Sequence, residues 1–189
     1  MLLQPNDICA NVAISHSRAY EPRIRDVTDE CTSDFRNLLL GLDEPSRCSR
    51  FGFSASDAVL AKHAGTAIQR ASKVIGIYAE NSLCGVLEAY PCPNQGPAKI
   101  ALVVGQNWRR QGLGTALIDS ARQWASSQRI DKLRLIFSRA NWPMRHLAHK
   151  INARLDVLLD ELCADIIVGS SKERWNTSTS MQHHSFPSF

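Results

Sequence analysis

The stretch from residue 99 to residue 120, KIALVVGQNWRRQGLGTALIDS, constrains the fold more than any other. Ile100 to Val104 is a short apolar run rich in β-branched side chains, which predicts a buried strand. Leu113, Leu117, Ala121, Trp124 and Ala125 then recur at three- and four-residue spacing, the period of an amphipathic helix. Between strand and helix stand Arg109, Arg110, Gln111, Gly112 and Gly114. Glycine lets backbone N–H groups approach a ligand closely, and a helix N-terminus carries partial positive charge. With two arginines added, the turn predicts an anion site suited to a phosphate or pyrophosphate.

The charge balance agrees with that reading. The net charge is only +4, but residues 107–155 hold ten Lys or Arg against Asp119 and Asp131, a local balance of +8 that leaves −4 for the rest. A basic half on an otherwise acidic chain suits a polyanionic ligand. Nucleic acid is disfavoured, because no module signature is present and Trp142 alone interleaves with the later basic residues. No apolar run reaches the roughly 20 residues of a membrane span. The first 15 residues lack the basic segment and unbroken apolar run of a secretory signal, so a cytoplasmic location is expected. The six cysteines form no CxxC pair and no metal-ligand spacing, so reduced thiols and no metal site are expected.

Around the central stretch the chain alternates between both periods. Residues 1–21 are polar and irregular and read as a flexible arm, and residues 170–189, rich in Ser, Thr and His, read as a disordered tail. A single domain is expected over residues 22–169, with a strand at 23–27 and a helix at 29–40 capped by Thr28. Residues 42–52 read as a loop. A second helix starts at Ser54 or Ser56, with Val59, Leu60, His63, Ala64 and Ala67 on one side. Strands at 73–80 and 83–90 turn at Asn81–Ser82, and a Pro-rich loop at 91–97 leads to the central strand. A strand at 131–137, a helix led by Asn141, and a hairpin of 155–159 and 162–168 turning at Asp160–Glu161 complete the domain. The order β-α-α-β-β-β-α-β-α-β-β predicts an α/β fold, a mixed sheet with helices on both faces. Open edges on its hairpins would allow pairing between copies, as in a homodimer.

Arg109-Arg110-Gln111-Gly112-Leu113-Gly114 resembles the Arg/Gln-x-x-Gly-x-Gly/Ala signature of the GNAT acetyltransferase superfamily. Asn141-Trp142-Pro143-Met144-Arg145-His146-Leu147-Ala148-His149-Lys150 is similar to the Asn-led helix of bacterial members close to protein lysine acetyltransferase domains. The resemblance spans residues 23–168. It implies acetyl-CoA as co-substrate and an amine acceptor that attacks the thioester directly. The backbone of Leu102, Val103 and Val104 would pair with the pantetheine arm. Amides of Arg109, Arg110, Gln111, Gly112, Leu113, Gly114 and Thr115 would hold the pyrophosphate, and Asn141 would bond the pantetheine chain. A backbone N–H near Val103 and Val104 would stabilise the oxyanion.

Two positions depart from the family pattern. Lys99 stands where many members carry the glutamate base, and Ala148 stands where many carry a tyrosine acid. Asn152 replaces a common glycine, and both tolerate a left-handed helix end. A substitute base is expected in Glu88, flanked by apolar residues on the third strand, where partial burial would raise its pKa. Tyr90 and His149 are weaker candidates. The missing Glu and Tyr also fit an acyl-CoA-binding regulatory module with little catalysis.

Overall fold

Strict alternation on one side of a strand and a 3.6-residue stripe on a helix are complementary surfaces, and here each sheet face receives one helical layer. The computed structural model describes residues 22–91 and 96–169. The expected arm, tail and most of the Pro-rich loop lie outside the described residues. The strands are β1 (Arg23–Asp26), β2 (Lys73–Ala79), β3 (Ser82–Tyr90), β4 (Ala98–Val104), β5 (Lys132–Ser138), β6 (Arg154–Leu158) and β7 (Glu161–Ile167). The helices are α1 (Thr32–Leu40), α2 (Glu44–Phe51), α3 (Asp57–Arg70), α4 (Leu113–Ser127) and α5 (Trp142–Lys150), with short 3-10 turns at Asp29–Cys31 and Gln106–Trp108.

The seven strands lie in the order β1-β2-β3-β4-β5-β7-β6. Only β4 and β5 run parallel, because only they are joined by a crossover helix into neighbouring positions. On one face α4 and α5 cover Ile75, Ile77, Leu87, Ile100, Leu133, Leu135 and Ile166. On the other, α1 and α3 cover Val74, Tyr78, Val86 and Val103. Beyond those helices Asp165 is buried on β7, bonded through both oxygens to the Arg134 guanidinium at 2.6 and 2.9 Å, with the Lys132 ammonium at 3.1 Å. Arg134 above all holds the Asp165 carboxyl below its ordinary pKa.

The expected mixed α/β sheet is present, with five local differences. Residues 44–51 form a helix rather than a loop. The β2–β3 turn is Glu80–Asn81, both at positive φ (47° and 69°), as a two-residue primed turn requires. The last hairpin likewise turns at Leu159–Asp160, between strands ending at Leu158 and starting at Glu161. The first helix is broken by a 3-10 turn, and Thr28 makes no side-chain cap. Val59 falls outside the apolar stripe and is exposed.

Candidate active site

The site begins where two parallel strands separate. β4 pairs with β5 only at Ala98–Leu133 and Lys99–Arg134. Its pairing with β3 continues to Val104. From Ala101 to Val104, the backbone groups directed away from β3 therefore have no strand partner among the described residues. Such groups are strong hydrogen-bonding sites, and an extended chain can satisfy them as an added strand. Leu102 and Val104 pack towards α4, whereas Val103 is buried against the other core beside Val86.

The same opening leads to the N-terminus of α4. Gly112 occupies its cap position at φ +85°, a left-handed conformation costly for other residues, and offers no side chain to the first helical amides. Ala116 N–H already bonds Gly112 C=O, so the amides of Leu113, Gly114 and Thr115 are the open ones. Arg110 also has positive φ (63°). Gly114 serves a different need: a Cβ there would lie 3.2 Å from Leu147 Cδ2, so its absence lets α5 pack against α4. Gln111 bonds Asn107 C=O at 3.0 Å, and Leu113 is buried as a core anchor.

The Arg109 guanidinium turns towards α2 instead of the α4 N-terminus. Its Nε donates to Val104 C=O (3.2 Å) and Nη2 to Ser46 Oγ (2.8 Å), with Asp43 at 3.9 Å. Asp43 caps α2 through Ser46 N–H (3.0 Å) and accepts from Gln106 Nε2. The Ser46 hydroxyl also donates to Asp43 Oδ1 and, above the other partners, holds its carboxyl below the ordinary pKa. Asn141 does two things: Oδ1 caps α5 through Met144 N–H (3.1 Å), and Nδ2 donates to Ser49 Oγ (2.6 Å). Thus α2, which buries no side chain of its own, is fastened by polar bonds across the β4–β5 opening. Sequence reasoning missed it because it has no apolar stripe. Its signals were the caps: Asp43 before it, Pro45 in the first turn and Gly52 at φ +82° after it.

Arg50, next to Ser49, links α2 to Glu88. The Glu88 side chain has 0% exposure. Oε1 accepts from Arg50 Nη2 at 2.5 Å; Oε2 meets His63 Nε2 at 3.0 Å and the Tyr90 hydroxyl at 2.5 Å. Burial alone pushes this carboxyl up, but the His63 hydrogen bond, then the Arg50 charge, and the Tyr90 hydroxyl reverse the effect and hold it down to about 2. The expectation of a raised pKa is corrected by these partners, which lie far away in sequence. Burial first, and Glu88 second, push the Tyr90 hydroxyl up. Lys99 is exposed at the position opposite Tyr90, Ala148 is fully buried, and His146 and His149 are exposed. Asn152 has φ 54°, the left-handed end expected for it.

Among the described residues no helix is long and apolar enough to cross a membrane. No curated protein matches the chain in sequence. Solved structures do match in fold. A GNAT domain of a Streptomyces lividans protein, PAT, aligns with a TM-score of 0.68 at 13% identity, over 77% of this chain and 90% of that one. The Thermoplasma acidophilum PaiA N-acetyltransferase, solved with coenzyme A, aligns at 0.64 and 15% identity, over 78% and 99%. A Salmonella typhimurium acetyltransferase described as modifying the N-terminal serine of a 50S ribosomal subunit protein aligns at 0.65 and 16% identity, over 78% and 95%. The sequence profile described as Acetyltransferase (GNAT) family matches residues 39–152, which hold α2, the separating strands, the glycine turn and all of α5. With more than half of its length matched by that profile, this protein belongs to the GNAT acetyltransferase family and is an acyltransferase.

Proposed function

We propose that the protein is an N-acetyltransferase that moves an acetyl group from acetyl-CoA to a primary amine of a small molecule or a protein, by direct attack of the amine on the thioester. The observation that carries this reading is the side of residues 101–104 that faces away from β3 and has no strand partner among the described residues, leading to the uncapped N-terminus of α4. An extended amide-bearing arm ending in a pyrophosphate has the shape and charge for that groove. Leu102, Val103 and Val104 would hold the arm. The amides of Arg110 to Thr115 would hold the pyrophosphate, with the exposed Arg110 guanidinium adding charge, whereas the Arg109 N–H, expected in that set, already donates to Gln106 C=O (3.3 Å). Asn141 Nδ2 would exchange Ser49 for the arm. No metal is required, and the cytoplasm is the compartment we assign.

An amine of pKa near 10 must lose a proton before it attacks, so catalysis needs a base. Ala148 offers no proton to the departing thiolate, and this favours a second reading in which the fold binds acyl-CoA with little turnover. Calorimetric titration with acetyl-CoA tests both. Absence of heat at high micromolar ligand removes them together. Release of free thiol with a panel of amines and lysine peptides supports the transferase, and binding without release supports the module.

A further inference from the structure

We propose that His63 is the base that deprotonates the acceptor amine, and that Glu88 is its positioning residue. The inference deepens the N-acetyltransferase reading and rests on it. It starts from a conflict at Glu88: the carboxylate with the right chemistry is fully buried, and both its oxygens are taken by Arg50, His63 and Tyr90. It cannot touch a substrate. His63 stands in front of it, with 23% of its side chain exposed. Nε2 faces the carboxylate, which fixes a proton on that nitrogen and leaves Nδ1 as the lone-pair side. Nδ1 has no hydrogen-bond partner among the described residues and is not one of the buried unpaired atoms, so it meets solvent.

The surroundings suit a base. Phe51 and Phe35 pack edge-on to the imidazole, with ring centres 5.1 and 6.1 Å away, which restricts its rotation. The charged and titratable groups gathered at the carboxylate it faces are Tyr90 from β3 and Arg50 from α2, and Arg70 from its own helix acts on Tyr90. Arg50 and Ser49 are adjacent, and they reach Glu88 and Asn141 respectively. The dyad and the mouth of the donor groove therefore lie on two sides of one helical turn. Glu88 pairs with Ala101, where β4 loses its second partner.

The step balances without a further reagent. The acceptor ammonium gives one proton to Nδ1, directly or through one water. The freed nitrogen lone pair forms the N–C bond to the thioester carbonyl. The C–S bond then breaks with its electron pair leaving on sulfur, and sulfur takes the second proton that nitrogen loses. The imidazolium, facing the Glu88 carboxylate, returns its proton to solvent.

The test compares wild type with His63→Gln, and measures thiol release across pH, acetyl-CoA affinity by calorimetry, and ¹⁵N shifts of the imidazole. The expected result is a kcat fall of about a hundredfold or more with loss of the acid limb of kcat/KM. Acetyl-CoA affinity stays within about threefold, and imidazole added to His63→Ala restores part of the rate. The ¹⁵N spectrum shows the neutral ring protonated at Nε2. A His63→Gln enzyme with unchanged kcat and acid limb overturns the inference and leaves the transferase reading intact. A neutral ring protonated at Nδ1 also overturns it. Wild type that binds acetyl-CoA yet acetylates no amine overturns the transferase reading, and the assignment of His63 with it.

Discussion

Replacing Glu88 by glutamine keeps the shape of the side chain and removes its charge, leaving the Arg50 guanidinium 15% exposed and without its carboxylate. Breaking one side of a buried ion pair costs about 3 to 5 kcal/mol. The shift of its pKa gives a second figure. Glu88 moves from an ordinary 4.5 to about 2 in the folded protein, and each unit of pKa is worth about 1.36 kcal/mol, so the charged form contributes about 3 kcal/mol. The folded value is the lower one. The contribution is therefore complete above about pH 4.5 and is lost as pH falls towards about 2, with about two-thirds of it gone by about pH 3. Urea unfolding of wild type and Glu88→Gln at neutral pH and at about pH 3 reads this directly. The stability gap between the two proteins should close from about 3 to about 1 kcal/mol. A gap that stays constant with pH would mean that the Glu88 charge does not hold α2 and α3 to the sheet, and the reasoning would fail.

Other perturbations probe the rest of the site. Gly114→Ala should stay within about 1 kcal/mol of wild type in urea melts, because the 3.2 Å neighbour is the flexible tip of Leu147 and helix propensity recovers a similar amount. Gly114→Val should cost about 1 to 3 kcal/mol by overpacking, and equal stability of both variants would show that α5 does not rest on that contact. Arg109→Ala releases Val104 C=O and Ser46 together; amide exchange in α2 should speed up and acetyl-CoA affinity drop up to about tenfold, about 1.4 kcal/mol. Exchange in α2 equal to wild type would refute the fastening role. Asn141→Ala removes the α5 cap and should lower stability by about 1 kcal/mol in thermal melts, whereas Asn141→Ser should restore most of it.

What was legible in the sequence follows the range of the forces involved. The strand at 100–104, the glycine turn and the helix after it could be read because period, cap and turn chemistry act within a few residues. Gly112 was readable as a turn glycine, but the purpose of Gly114 was not, because Leu147 lies 33 positions later and only the fold brings it near. Glu88 stands out in the sequence as a carboxylate among apolar neighbours, which point to a raised pKa, the opposite of the direction its partners impose. Its partners Arg50 and His63 come from helices 38 and 25 residues away. In the sequence His63 is no more than one member of the stripe of α3. Helix α2 is invisible to hydrophobic periodicity, since Phe51 alone of its side chains packs on the apolar core and polar bonds hold the rest, although Asp43, Pro45 and Gly52 mark its ends. The separation of β4 from β5 has no local signature: both strands continue as apolar runs, Ile100–Val104 and Leu135–Phe137, where they stop pairing.

That separation also bears on how the molecule melts. The sheet is two blocks, β1 to β4 and β5 with β7 and β6, whose main chains meet at only two residue pairs. The packed layer under α4 and α5 spans both, so side chains rather than backbone carry the cohesion between them. A ligand lying along residues 101–104 as an extra strand adds main-chain bonds at that seam. Unfolding with the ligand bound then involves one cooperative unit, and without it two more weakly coupled ones. Donor binding should therefore steepen the thermal transition as well as raise its midpoint, and amides of β5 to β7 should gain exchange protection together with those of β4.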